Sequence, residues 1–335
     1  ILRGERRVRG PCLTPNTMSH TRPSISIPVR RSSTRPHADE RGIALLVALL
    51  VLTLLTALIL EFDAEARREY RAAATFRDDY KATMLTRAAV QATKAVLLQD
   101  LMREKMTGQK YDGPTDIWAM PITKFPIGDG FLTARIQDEM GKLNLNDLAS
   151  TSGGELEQKR KVTRVKRLFE LLRLSPSLVD ALIDWVDQDE APQPAGAESL
   201  YYQSLRPPYR AANSPLPGLG DLRLIKGFTP EVIERITPYV TVFPTEGGAG
   251  INVNTADPIV LQTLDPAVTQ SVAMEIVQGR PFKTKVELDR VSSFQEIGRT
   301  LRSDYDVKSD HFSARLTITV NETTKSSLVI LKRDS

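Results

Sequence analysis

Five carboxylates crowd one short stretch of the chain: Asp184, Asp187, Asp189, Glu190 and Glu198. The first two close an apolar run, Leu182-Ile-Asp-Trp-Val-Asp187, that reads as the last turns of a helix. A helix C-terminus carries partial negative charge, so carboxylates there are disfavoured. With Asp189, Glu190 and Glu198 in the same loop, the charges repel one another unless something compensates. A hard cation with oxygen ligands would do so, and an irregular loop can add backbone carbonyls of the kind calcium takes. The opposing reading is a solvated acidic loop, because no full EF-hand pattern of alternating acids, a central Gly and a distal Glu is present. Trp185, inside the same run, is expected in the core.

Other chemistry is poorly supplied. The one cysteine is Cys12 and the three histidines are His20, His37 and His311, so only His311 lies beyond residue 42. A disulfide framework, a Ser-His-Asp triad and a His-based zinc site are therefore hard to build, and the chain does not read as an enzyme. Gly247-Gly-Ala-Gly250 precedes a strand-like segment, so no helix opens on it to cradle a phosphate. Leu224-Ile-Lys-Gly-Phe-Thr-Pro-Glu-Val-Ile233 resembles a helix-hairpin-helix. Ile251-Asn-Val-Asn-Thr-Ala256, with Pro281-Phe-Lys283, is similar to the repeat of the competence DNA receptor. Against DNA, the first hairpin has one Gly where two are usual, the second, Leu264-Asp-Pro-Ala-Val268, has none, and no basic stripe accompanies them. No nucleic acid is expected as a partner.

Charge agrees. The first 42 residues hold nine Arg and three acids, a net of +6 within a chain of net +4, so the remainder stands at −2. The basic pI belongs to the leader alone.

These side chains need elements to position them. Ile43–Leu60 is an 18-residue run without charge, long enough to approach the span of a bilayer as a helix. It does not end in the small residues of a removable secretory signal. Arg-rich flanks stay on the cytoplasmic side, which sends the C-terminal bulk across the membrane. Met18 is read as the true start, with residues 1–17 upstream of it. From Glu61 to Met106 there is neither Pro nor Gly. Phe62, Ala66, Tyr70, Ala73, Tyr80, Met84, Ala88, Ala92 and Val96 recur at helical spacing and are expected to form its packed face. Joined to the span this gives one helix of roughly 60 residues, on the order of 90 Å.

Residues 108–130 read as loop. Gly130–Gln137 alternates as a strand and Lys142–Asn146 as a second, short one. Amphipathic helices are expected over Lys161–Leu174 and Ser177–Val186, then around Leu219–Ile225, Thr229–Ile236, Asp257–Leu264, Pro266–Gln278 and Lys285–Leu288. Two strands, Phe312–Asn321 and Ser327–Lys332, close the chain. Strands thus flank a helical middle, and neither pair could hide its apolar face alone. The fold class is α+β: a long N-terminal helix on an antiparallel sheet, carrying a large inserted all-α domain. The expected divisions are a leader over 1–42, a membrane and assembly helix over 43–60, a discontinuous α/β domain over 61–146 and 291–335, and the insertion over 147–290.

Gly42 before Ile43, with Arg41 ahead of it, resembles a prepilin peptidase site of the type IV pilin superfamily. Most such subunits carry Glu at the fifth mature position, where it is thought to pair with the terminal amine of the preceding subunit. Here that position is Val47. A lone carboxylate in the bilayer is costly, and a subunit that enters first has no predecessor to pair with it. Asp138-Glu-Met-Gly-Lys-Leu-Asn-Leu-Asn146, Leu182–Glu190, Gly196-Ala-Glu198, Pro208-Tyr-Arg210, Ile225-Lys-Gly227 and Ile251–Ala256 occur in one order. Together they resemble the minor pseudopilin K family of type II secretion. The resemblance implies a pilin-like domain with a large α-helical insertion, a place at the pseudopilus tip beside minor pseudopilins I and J and further H, processing by prepilin peptidase with N-methylation of Ile43, and contact with the inner-membrane secretion platform. It also implies calcium in the inserted domain, with Asp184, Asp187, Asp189, Glu190 and Glu198 as candidate ligands. The bulk would lie in the periplasm of a bacterial cell, held by a single pass through the inner membrane.

Overall fold

A computed structural model describes residues 38–149, 154–248 and 250–334. Most of the expected leader, with Cys12, Met18, His20 and His37, lies outside the described residues. The chain divides into two compact units, Ile1–Arg68 and Glu69–Ser335. The described part of the first is helical throughout. Its apolar run is exposed along its whole length, Leu45 and Leu46 each at 69%, and an 18-residue window there has a mean hydropathy of 3.1. The Thr53 and Thr56 hydroxyls turn back onto the carbonyls of Leu50 and Leu52, each at 2.8 Å. A segment with its polar groups satisfied internally suits a hydrocarbon surrounding.

Helix α1 (Ala38–Thr107) is 70 residues long, and its residues from Glu69 onward belong to the second unit. The unit continues with β1 (Ile122–Ile127), β2 (Gly130–Asp138), β3 (Leu143–Asn144), α2 (Gly154–Leu171), α3 (Leu178–Val186), α4 (Ser199–Gln203) and α5 (Pro230–Ile236). After these come β4 (Val240–Thr241), β5 (Ile251–Asn252), α6 (Pro258–Leu261), α7 (Gln270–Gln278), α8 (Gln295–Thr300), β6 (Tyr305–Asp306), β7 (His311–Val320) and β8 (Thr323–Lys332). The long strands form one antiparallel sheet in the order β1-β2-β7-β8. The fold is α+β, as the sequence pattern predicts, with the helical middle carried between β2 and β7.

Three expectations are corrected. The packed face of α1 is not the aromatic stripe: Phe62 and Tyr70 are 75% exposed and Tyr80 57%. The buried stripe is Asp78, Ala82, Ala89, Thr93, Leu97 and Asp100. Both sets satisfy steps of three and four, and the face that meets the sheet is the one carrying Ala82, Ala89 and Leu97. The stretch expected as loop contains β1, whose Pro126 gives no ladder donor and whose register slips between Ile122 and Phe125. Both features confine it to a sheet edge and disguise it in the sequence. Finally, β3 does not extend the main sheet; it pairs in parallel with β4, Leu143 opposite Val240.

Two cores result. One packs Ala82, Ala89 and Leu97 of α1 on Leu132, Ala134, Phe312, Leu316 and Ile318, with Trp118 edge-on to Phe312 at 5.0 Å. The other gathers the helical middle, including Val165, Leu168 and Phe169 of α2 and Leu182 and Trp185 of α3. Its members run from Leu143 to Val307, so Phe294, Leu301 and Tyr305 pack with the helices although they follow residue 290.

Near the C-terminus, Arg333 reaches back to α1. Its guanidinium lies 2.9 Å from Asp100, 3.3 Å from Glu104 and 2.6 Å from Asp112, donates to the Ser309 carbonyl at 2.8 Å and covers the Phe312 ring at 5.0 Å. Three carboxylates thus face one cation, and Glu104 Oε1 receives no hydrogen bond. Burial pushes Asp100 up to about 6 and Glu104 up to about 7. A carboxyl raised in the folded state contributes stability at low pH that is lost as pH rises through its folded value. Glu104→Gln is therefore expected to melt a few °C above wild type at pH 8 and to lose that advantage near pH 5, given roughly 2–4 °C per kcal/mol at this size. Thermal melts at the two pH values check this.

Candidate metal centre

Helix α3 ends at the first carboxylates. The Asp187 amide donates to the Ile183 carbonyl at 2.9 Å and its backbone is extended, so the chain leaves the helix there. Helix α4 begins at Glu198, which occupies the N-cap position with no side-chain capping bond. Trp185 of α3 stands edge-on to Tyr202 of α4 at 5.1 Å, and Tyr202 stacks on Tyr209 at 5.2 Å. These aromatic contacts fix the element carrying Asp187 against the one carrying Glu198.

Asp187, Asp189 and Glu198 each offer a carboxylate oxygen within 4.8 Å of the others. Glu198 is only 6% exposed. Neither of its oxygens, nor Asp187 Oδ1, has a hydrogen-bond partner among the described residues. A buried carboxylate with both acceptors empty is costly. Burial first, then the neighbouring carboxylates, raise Asp187 to about 6 and Glu198 to about 7. An oxygen-seeking cation would reverse each of these penalties, so the donor set fits calcium.

The other two expected ligands are engaged differently. Asp184 is fully buried and accepts the Gln193 amide on both oxygens, at 3.0 and 3.2 Å. Burial raises its carboxyl, against the pull of the Gln193 and Ala197 amides. Glu190 accepts the Ser199 hydroxyl at 2.9 Å and its amide at 3.3 Å. Asn213, in the left-handed region at φ 44°, donates to Glu190 Oε1 at 3.2 Å and to the Asp189 carbonyl at 3.0 Å. The structure therefore brings three of the five acids together and gives Asp184 and Glu190 to the loop's own scaffolding. Sequence reasoning missed Asn213 and Ser199; the one available signal was the turn composition of Asn213-Ser-Pro215.

The remaining candidates fall elsewhere. Gly42, Ile43 and Val47 lie in α1, with Ile43 63% and Val47 52% exposed. The hairpin segment forms a short 3-10 helix (Leu219–Leu224), a turn at Gly227 and α5. Gly248 donates its amide to Asp147 at 2.6 Å, closing that glycine loop on a side chain.

Comparison with known proteins points one way. Two family models, both described as Type II secretion system (T2SS), protein K, match residues 141–245 and 251–308. The type II secretion system protein K of Klebsiella pneumoniae is 32% identical over 250 residues, covering 72% of this chain and 75% of that protein. The protein of the same description from Aeromonas hydrophila is 29% identical over 306 residues, covering 85% and 90%. Among solved structures, the GspK-GspI-GspJ complex from the enterotoxigenic Escherichia coli Type 2 Secretion System contains a chain of similar fold. Its TM-score is 0.68 at 21% identity, with 78% of this chain and 94% of that one covered.

Glu198 gives the site a signature that needs no metal. Its carboxyl is raised on folding, so in chelator-treated protein stability is lost as pH climbs from about 4.5 through about 7. Glu198→Gln should raise the melting temperature of that metal-free protein at pH 8 and have little effect at pH 5. A variant that melts below wild type at pH 8 would show that the buried charge is already compensated.

Proposed function

The chain belongs to the type II secretion system protein K family, and from that premise we propose that it stands at the tip of the pseudopilus, where it initiates or caps assembly for export across the outer membrane. It is a minor pseudopilin, and its work is assembly rather than catalysis. The observation that carries the reading is α1, an uninterrupted helix whose first part is apolar and exposed and whose later residues pack on an antiparallel sheet.

In this reading the run 43–60 first holds the subunit in the inner membrane as a single pass, with the C-terminal bulk in the periplasm. On extraction the same surface packs against neighbouring helices. Prepilin peptidase cuts between Gly42 and Ile43, and the new terminus is methylated. Val47 suits a subunit with no predecessor, because an unpaired carboxylate there would be buried without compensation. The large helical insertion makes a poor repeating unit for a filament, which favours one copy at its end. Pseudopilins I and J are the proposed partners, on the strength of the fold shared with GspK in its complex with GspI and GspJ; H and the inner-membrane platform are further partners. Calcium is the proposed cofactor, held by Asp187, Asp189 and Glu198, with Asp184 and Glu190 bracing the loop.

Three measurements test this. Mass spectrometry of the protein from cells should find a terminus at Ile43 bearing one methyl group, and the purified protein should retain I and J; an intact leader, or no association, would sink the tip reading. Calcium at about a hundredfold over its Kd should raise the melting temperature by roughly 5–10 °C. The gain should be larger at pH 8 than at pH 5, because Asp187 and Glu198 must lose protons to bind. An unchanged midpoint on adding calcium to chelator-treated protein would remove the cofactor.

A further inference from the structure

The segment 193–198 delivers Glu198 to its place, and it is fastened by more than the acids of α3. Asp184 takes the Gln193 amide, and Asp180 takes the Ala195 amide at 3.3 Å. Gly196 lies so close to Asp184 that a Cβ would sit 1.9 Å from Oδ2. The second fastening is a cation. Lys226 Nζ donates to the Gly196 carbonyl at 2.9 Å and to the Ala195 carbonyl at 3.4 Å. The same ammonium stands 5.1 Å from the centroid of the Tyr201 ring in α4, and the Lys226 amide donates to Tyr202 Oη at 3.2 Å. One residue outside the loop thus grips the two carbonyls just before Ala197-Glu198 and the helix just after them.

We propose that Lys226 is a positioning residue for the cation site, holding residues 195–196 and α4 so that the unpartnered Glu198 carboxylate stays aimed at Asp187 and Asp189. The proposal rests on the calcium reading above. A bystander lysine predicts the opposite sign: removing a positive charge near an acidic site should tighten cation binding. The neighbouring charges that weigh most on Asp187 and Glu198 are the carboxylates around them. Groups that orient ligands in this way commonly matter 10–100-fold for metal affinity.

The test is calorimetric titration of calcium into the detergent-solubilised full chain, with hydrogen exchange of residues 193–198 measured in chelator. Lys226→Met is expected to weaken calcium binding about tenfold and to speed exchange at Gln193 and Ala195 in the metal-free protein. Lys226→Arg, which keeps the charge and can present two N–H groups to two carbonyls, is expected to recover most of the affinity. Lys226→Gln is titrated alongside, in case methionine unseats the turn. If Lys226→Met and Lys226→Gln bind calcium as tightly as wild type or more so, the positioning role is overturned while the site stands. If wild type binds no calcium, the site itself falls, and the role of Lys226 with it.

Discussion

One buried carboxylate sets where the chain leaves the sheet and where it returns. Asp138 ends β2 and is 4% exposed. Its Oδ2 accepts the Asn252 amide group at 2.9 Å, the Ser309 hydroxyl at 2.6 Å and the Thr255 hydroxyl at 2.5 Å, while Oδ1 accepts the Met140 amide at 2.8 Å. Burial still raises it to about 6 against the bonds from Ser309, Thr255 and Met140. Asn252 also donates to the Asp112 carbonyl at 3.2 Å, and Asp112 in turn receives the Ser309 amide and Arg333. The ends of α1, β2 and β8, the start of β7 and the far side of the helical middle therefore meet at one network. Removing a member would leave buried polar groups unpaired, which costs more than the bond itself is worth.

The same network explains how a helical insertion can be large without unsettling the sheet. It is framed by two copies of one local device. Leu143-Asn-Leu-Asn146 and Ile251-Asn-Val-Asn254 each form a two-residue strand paired in parallel, the first with β4 and the second with β6. In each, the first Asn accepts the amide two residues on, at 3.0 Å in one and 2.9 Å in the other. The second Asn grips a distant backbone in both directions: Asn146 holds Leu216, and Asn254 holds Phe282. These side chains do the work that a longer ladder would do, and they do it beside strands of only two residues.

That is why parts of the architecture were legible and others were not. Alternation in Gly130–Gln137 and Phe312–Asn321 reports burial on one face, the absence of Pro and Gly after Glu61 reports an unbroken helix, and both predict their elements correctly. Both Asn motifs stand out in the sequence, but their equivalence depends on pairing between residues about 50–100 positions apart, which periodicity does not carry. The buried stripe of α1 is not legible because two sets of residues recur at helical spacing, and the sheet alone decides between them. In the acidic loop the charge excess was plain from composition. What it could not reveal was the sorting of five carboxylates into three that converge and two that brace, since that sorting is made by backbone amides of Gln193, Ala197 and Ser199.

Glu198 shows most directly what that sorting achieves. An aspartate at a helix N-cap ordinarily turns its carboxylate onto the first free amides, satisfying donors and complementing the dipole at once. Here the Glu198 carboxylate forgoes that role and faces Asp187 and Asp189, at the end of α3 and in the loop beyond it. The local choice conflicts with helix stability and with charge repulsion together. Conflicts of this kind concentrate at functional sites. A ligand that binds only the folded arrangement resolves it in proportion to its occupancy. With the proposed cation bound, α3 and α4 are stapled through their facing ends. Without it, the aromatic contact of Trp185 with Tyr202 and the hydrogen bonds of Asp184, Glu190 and Lys226 must hold the loop against three like charges. With the proposed cation, the loop would couple the rigidity of this part of the helical insertion to the ionic composition of its surroundings.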